Sequence, residues 1–219
     1  MDLVGVLGAS ELFGRFDRNA LRVLAAAALP VTYERNDVVF AAGDEAADLY
    51  IVQHGRVAVS SRSSDGRESV LALMGPGQAF GEMSLCDGEG RSTDARALEP
   101  SELARLPYTA VRRLLDDQPR LLWEIVALLS RRLRATDAVL ADAVFLDVPA
   151  RTAKRLLELA GPEDDFVLPV TQEELAGLVG ASRERVNKAI ATFVRLGWLS
   201  QSGRRYRIVD RAQLELRSR

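Results

Sequence analysis

The sequence predicts an α+β protein with three parts in chain order. These are an antiparallel β-roll of jelly-roll type, one long helix, and a compact group of helices closed by a β-hairpin. Three observations carry this reading. Short β-type runs alternate with glycine turns between residues 31 and 106. An apolar repeat at alternating intervals of four and three runs through residues 122–143. The stretch 171–190 reads as two short amphipathic helices separated by Gly180-Ala181-Ser182. The boundaries expected are 1–117 for the roll, 118–145 for the long helix and 146–219 for the last part.

The first thirty residues carry helical patterning, with Leu12, Phe13 and the run from Leu21 to Leu29 apolar, and are expected to be helical up to Pro30. The β-type runs follow. Val38-Val39-Phe40 precedes Gly43-Asp44, Leu49-Tyr50-Ile51-Val52 precedes His54-Gly55, and Val57-Ala58-Val59 precedes Ser64-Asp65-Gly66. Val70-Leu71-Ala72-Leu73 precedes Gly75-Pro76-Gly77. That spacing suits an antiparallel roll or sandwich. Helical pattern returns at Tyr108–Leu115, and Pro119 suits the first turn of the long helix. Its seam is Leu122, Val126, Leu129, Leu133, Thr136, Leu140 and Ala143. Such a seam serves either self-association or packing on the helix's own domain, and its regularity favours the first.

Asp147-Val-Pro149 reads as a linker, and Arg151–Leu159 as a helix burying Ala153, Leu156, Leu157 and Ala160. Thr171 and Glu174 stand three residues apart, the spacing of a capping box, and Ser182 can cap the next helix. In that second helix Val186, Ile190 and Phe193 share one face, while Glu184 and Lys188 point away and Arg183 sits in the first turn. A helix with a buried back and a polar N-terminal front suits the DNA major groove. Trp198-Leu199-Ser200 and Tyr206-Arg-Ile-Val209 flank Ser202-Gly203 as a hairpin wing, giving a winged helix-turn-helix.

Composition sets the outer bounds. No apolar run reaches the length of a membrane span, and the start Met-Asp-Leu-Val-Gly has no signal-type pattern, so a cytoplasmic location without membrane contact is expected. The single cysteine and single histidine exclude an internal disulfide and a four-cysteine metal site. Cys86 is expected in a strand or loop and His54 in a solvated turn; no metal or cofactor is expected. Residues 1–149 carry 16 basic and 22 acidic side chains, a net of −6, and residues 150–219 carry 13 and 9, a net of +4. The basic part contains the helix pair, as attraction to phosphates favours.

One constellation falls inside the roll. Phe80-Gly81-Glu82-Met83-Ser84-Leu85 is followed by Arg91-Ser92. Arg91 can fork onto a phosphate, Ser92 can add a hydroxyl, and Glu82 suits a sugar hydroxyl. The spacing equally allows a Glu82–Arg91 ion pair across a turn.

With these words in order, the chain resembles the cyclic AMP receptor protein (catabolite activator) family of bacterial transcription regulators, in its actinobacterial-type branch. The resemblance runs from about residue 12 to residue 210. It rests on Phe80-Gly-Glu-Met-Ser-Leu85, Arg91-Ser92, Arg131-Arg-Leu133, Phe145-Leu-Asp-Val148 and Val179-Gly-Ala-Ser-Arg-Glu184. It implies a homodimer joined along the long helix, controlled by cyclic AMP and binding palindromic double-stranded DNA, with RNA polymerase as a further partner. Gly81 and Met83 would lie along the ribose-phosphate, Glu82 would take the ribose 2′-hydroxyl, and Arg91 and Ser92 would hold the cyclic phosphate. Thr136 would bond the adenine. Asp137 stands where the family usually has a small polar residue reaching the other subunit's ligand, and an aspartate can accept from the adenine 6-amino group.

On the DNA side the resemblance gives Arg183, Glu184 and Lys188 the base-reading positions of a half-site close to TGTGA. It gives Thr171, Ser182 and Arg185 backbone-phosphate contacts. Other readings stay open on the residues alone: another nucleotide or none as effector, a nucleotide-regulated enzyme, or a protein-interaction module. No catalytic grouping and no glycine-rich phosphate loop before a helix supports the enzyme.

Overall fold

A computed structural model describes residues 2–62 and 68–219. The turn expected at Ser64-Asp65-Gly66 lies outside the described residues. The chain forms two compact units. The first comprises the described residues to Arg62 together with Val70–Leu133, and the second comprises Arg134–Arg219 with Glu68 and Ser69.

The first unit opens with helices α1 (Leu3–Gly8) and α2 (Arg18–Ala27), each capped by an aspartate, Asp2 and Asp17. The helix expected to reach Pro30 stops at Ala27. Ala28 is already extended, and β1 (Leu29–Tyr33) takes Pro30 into a strand. That strand is the edge of its sheet, where a missing N–H is tolerated. Seven strands follow: β2 (Val38–Phe40), β3 (Asp48–His54), β4 (Val57–Arg62), β5 (Glu68–Met74), β6 (Ala79–Phe80), β7 (Asp94–Ala97) and β8 (Ser101–Pro107). They make two four-stranded sheets, β1-β8-β3-β6 and β2-β7-β4-β5.

Alternation along β3 explains the layering. Tyr50 and Val52 face inward, with Phe80 and Leu103 of the same sheet and Phe40, Val57, Met74 and Ala95 of the other. Leu49 and Ile51 point to the outer face and pack under the helices with Leu7, Phe13, Leu24 and Leu106. Between β6 and β7 lies α3 (Met83–Asp87), which carries Cys86 exposed on a short helix rather than on a strand or loop.

Helix α4 (Tyr108–Asp117) and a 3-10 turn (Pro119–Leu121) lead into α5 (Leu122–Phe145), 24 residues long. Leu121, Ile125 and Leu128 are buried in the helical core of the first unit. The seam residues Leu122, Val126, Leu133 and Leu140 stay exposed, the last two at 63%. Leu129 divides itself, partly buried against the core.

The second unit continues with α6 (Val148–Ala160), β9 (Asp165–Val167), α7 (Gln172–Val179), α8 (Arg183–Arg195), β10 (Leu199–Ser202), β11 (Arg205–Ile208) and α9 (Arg211–Arg217). Asp147-Val-Pro149, expected as linker, is the start of α6. Asp147 caps the helix by accepting from Ala150 N, and Pro149 sits in the first turn, where its missing N–H costs nothing. The wing has a third strand, β9, in a sheet ordered β10-β11-β9. Among the described residues no helix is long and apolar enough to cross a membrane.

Asp147 also pairs with Arg217 at 2.5 Å, and that guanidinium, with the Ala150 amide, holds its carboxyl below the usual aspartate range. A depressed carboxyl stabilises the fold above its unfolded pKa and ceases to do so as pH falls through the folded one. Asp147→Ala is expected to cost about 1 kcal/mol at neutral pH, mostly the cap because the pair is solvent-screened. The gap to wild type should close as pH drops below about 4, read by thermal denaturation of both proteins across pH.

Candidate functional site

The ligand-loop residues converge at one end of β6. Gly81 follows Phe80 with φ +78°, a conformation glycine adopts without strain. A Cβ at Gly81 would stand 2.6 Å from Arg91 Nη1, so the backbone must be bare for the guanidinium to reach it. Arg91 is only 6% exposed. Its Nη1 donates to the Gly81 carbonyl at 3.0 Å and to the Tyr108 hydroxyl at 2.9 Å, and its Nη2 to the Asp48 carbonyl at 2.7 Å. The guanidinium lies over the Phe40 ring at 4.1 Å, a cation–π contact. Tyr108 in turn donates a short hydrogen bond to Gly81 O.

Burial pushes the Tyr50 phenol up to about 12, and burial also raises that of Tyr108 against the lowering field of Arg91. The rings around Arg91 are therefore neutral at physiological pH. No carboxylate pairs with Arg91 among the described residues, and its Nε is a buried donor without a partner.

Glu82, 2% exposed, does not turn to Arg91. Its Oε1 pairs at 2.5 Å with Nη1 of Arg132 on α5, which answers the question of a Glu82–Arg91 bridge in the negative. Sequence reasoning gave Arg132 no role. The signal within reach was the word Arg131-Arg-Leu133, which lies on the core-facing stripe of α5 four residues beyond Leu128. Met83 is half exposed, and Ser92, exposed, rests its hydroxyl on Met83 Sδ at 3.6 Å, a weak contact open to exchange.

Thr136 and Asp137 belong to the second unit and are exposed on α5. There the helix pair is built as its caps dictate. Thr171 and Glu174 form the reciprocal capping box, with Thr171 N donating to Glu174 Oε2 at 2.7 Å. Gly180 ends α7 in the left-handed region, φ 67° and ψ 45°. Ser182 caps α8 through Arg185 N at 3.4 Å.

Val186, Ala189, Ile190 and Phe193 bury the back of α8, and Phe193 stacks on Trp198. Arg183, Glu184, Arg185 and Lys188 are all exposed, and none makes an ion pair among the described residues. By contrast Arg151 spends its guanidinium on helix-end carbonyls, Val179 O at 2.9 Å and Leu146 O at 3.0 Å.

A roll with a buried arginine that meets no carboxylate among the described residues suits an anionic ligand, and a winged helix-turn-helix with an exposed cationic front suits DNA. Comparison with known proteins narrows the class. Residues 30–118 match the cyclic nucleotide-binding domain and residues 150–217 the Crp-like helix-turn-helix domain. The chain is 38% identical to the CRP-like cAMP-activated global transcriptional regulator of Mycobacterium tuberculosis, over 98% of this chain and 99% of that one. It is 32% identical to the cAMP-activated global transcriptional regulator CRP of Escherichia coli O157:H7, over 72% of this chain and 79% of that one.

Among solved structures it is similar to the c-di-GMP responsive global regulator CLP of Xanthomonas campestris. The identity is 30% and the TM-score 0.77, covering 88% of this chain and 99% of that one. This chain belongs to the cyclic AMP receptor protein family of transcription regulators; it is a regulator and not an enzyme.

Proposed function

We propose that this protein is a homodimeric transcription regulator whose binding to palindromic DNA is controlled by cyclic AMP. The observation that carries the ligand reading is Arg91. A buried guanidinium with no carboxylate beside it among the described residues, and with one orphan donor, is costly to keep, and an anion of single charge offsets that cost. A cyclic phosphate is such an anion. Nη1 and Nη2 would exchange protein oxygens for phosphate oxygens, and Ser92 would leave Met83 to join them. Glu82 Oε2 would accept the ribose 2′-hydroxyl while Oε1 keeps Arg132, with Gly81 and Met83 presenting backbone to the sugar.

Thr136 and Asp137 remain the proposed base contacts. Cyclic AMP is favoured over cyclic di-GMP by the names of the two curated relatives, one of them matched over nearly the whole of both chains. Binding would shift a pre-existing equilibrium toward the DNA-competent form. RNA polymerase as partner and a cytoplasmic location follow from the same reading.

The dimer reading rests on the exposed seam. Leu122, Val126, Leu133 and Leu140 leave a contiguous apolar stripe along α5 that a second copy would cover. The DNA reading rests on the unpaired front of α8. Arg183 would fork onto guanine, Glu184 would accept from cytosine, and Lys188 would make a less directional base contact. Thr171, Ser182 and Arg185 would meet phosphates.

Three variants test these parts separately. Arg91→Ala is expected to weaken cyclic AMP binding about a hundredfold or more, since charge-assisted hydrogen bonds are the strong ones. Calorimetric titration with cyclic AMP, cyclic GMP and cyclic di-GMP reads this, and binding within about twofold of wild type removes Arg91 from the site.

Leu140→Glu changes a side chain that is exposed in the protomer, so the fold should hold. Sedimentation should show monomer, because burying a carboxylate in the seam costs several kcal/mol. An unchanged dimer would place the interface elsewhere.

Arg183→Ala is expected to cost about 1–3 kcal/mol per half-site and to relax discrimination at one guanine. Competition among single-base variants at two salt concentrations is the measurement. A uniform loss across all sequences would make Arg183 a phosphate clamp.

A further inference from the structure

Glu11 lies between α1 and α2, in a segment that the reading of the nucleotide site does not use. Its backbone N–H donates to Gly77 O at 2.8 Å, which fixes the chain beside β6. Its Oε1 accepts from the Ala79 N–H at 3.2 Å and from Arg132 Nη2 at 2.8 Å. Arg132 Nη2 also donates a short bond to Ala79 O, and Nη1 carries the ion pair to Glu82. One guanidinium thus spans two carboxylates, one from the N-terminal segment and one from the ligand loop.

The two carboxylates are not equivalent. Glu82 is almost fully buried, whereas Glu11 and Arg132 are each more than a quarter exposed. A buried carboxylate depends on its partner being in place, because an uncompensated charge there is strongly disfavoured. Arg132 is long and flexible and reaches Glu82 from a partly solvated position. Glu11 and the Ala79 carbonyl engage its second nitrogen from the other side, so that the planar fork has a fixed direction.

We infer that Glu11 is a positioning residue of the nucleotide site: it holds Arg132, and Arg132 holds Glu82 with one oxygen facing the ribose 2′-hydroxyl. This rests on the proposed binding of a cyclic nucleotide. Glu11 makes no contact with the ligand in this scheme, and its effect is confined to the hydroxyl that Glu82 reads. A merely structural tie for the N-terminal segment would affect every ligand alike.

The experiment is calorimetric titration of the full-length protein with cyclic AMP and with 2′-deoxy cyclic AMP, which lacks only that hydroxyl. Wild type is expected to prefer cyclic AMP by about tenfold or more. Glu11→Ala should compress that preference by at least about threefold, with affinity for the deoxy analogue within about twofold of wild type. Glu11→Gln keeps an oxygen that can accept from both Ala79 and Arg132, and should retain most of the preference.

Should the alanine variant fail to fold, Glu11→Asp, which withdraws the carboxylate by one methylene, is expected to compress the preference in the same way. A preference unchanged in the folded variant, or equal loss of both ligands, overturns the role of Glu11 and leaves the site assignment standing. A wild type that binds both ligands equally, or neither, overturns the ribose assignment of Glu82 and this inference with it.

Discussion

A buried positive charge that meets no carboxylate among the described residues is the constraint on which the roll depends. Arg91 is held by two backbone carbonyls, a neutral phenol and an aromatic face. Each comes from a different element: Asp48 from β3, Gly81 from the turn after β6, Tyr108 from the start of α4, and Phe40 from β2. The strands must therefore meet as they do for the guanidinium to be solvated by protein at all. Dipoles and ring faces compensate a charge only in part, and the orphan Nε marks the shortfall. Gly81 is the permissive element, since a side chain there would occupy the space of Nη1.

The second charge of the loop is kept apart from the first. If Glu82 paired with Arg91, both would be satisfied and neither would have capacity for a ligand. Arg132 prevents this by taking Glu82 from the side of α5. That helix accordingly has two faces with different duties. Ile125, Leu128 and Arg132, continuing from Leu121 in the preceding turn, recur at intervals of four and three and face the first unit. Leu122 and Val126 stand four apart, Leu133 stands seven further on, and all three remain exposed. A period of 3.6 residues places two such stripes side by side on one cylinder, so a single helix can serve its own domain and leave a second surface open.

This also explains which features could be read from the sequence. The long helix, the strands on either side of the described glycine turns, the capping box at Thr171 and the break at Gly180 are local patterns, and these are present in the structure. The misses have non-local causes. β9 is three residues long and shows no periodicity; it exists because β11 pairs with it. Pro30 reads as a helix stop, but the helix already ends at Ala27, and the strand that takes in Pro30 depends on β8. Asp147-Val-Pro149 reads as a linker, and the capping bond from Ala150 N to Asp147 decides for helix. The Arg132 contacts to Glu82 and Glu11 join residues 50 and 121 positions apart, and nothing in a local window signals them. Gly81, Glu82, Met83, Arg91 and Ser92 were nameable because they sit in two short words, while the residues that hold them were not.

The same distinction applies to the charges of the second unit. Residues 150–219 carry a net of +4, which suggests a diffuse attraction for DNA, but some of the cations there are already engaged. Arg151 and Arg155 donate to Val179 O and Leu178 O, the last carbonyls of α7, where a cation is favoured by the helix dipole. Arg217 is engaged with Asp147, and Arg211 with Asp164. Arg183, Arg185 and Lys188 have no such partner among the described residues and stand on the exposed front of α8. Counter-ion release counts only cations that can meet a phosphate, so the engaged arginines add little to it. Arg151 and Arg155 act through geometry: by capping α7 they fix the Gly180–Ser182 turn, and that turn sets the direction in which α8 presents its exposed side chains.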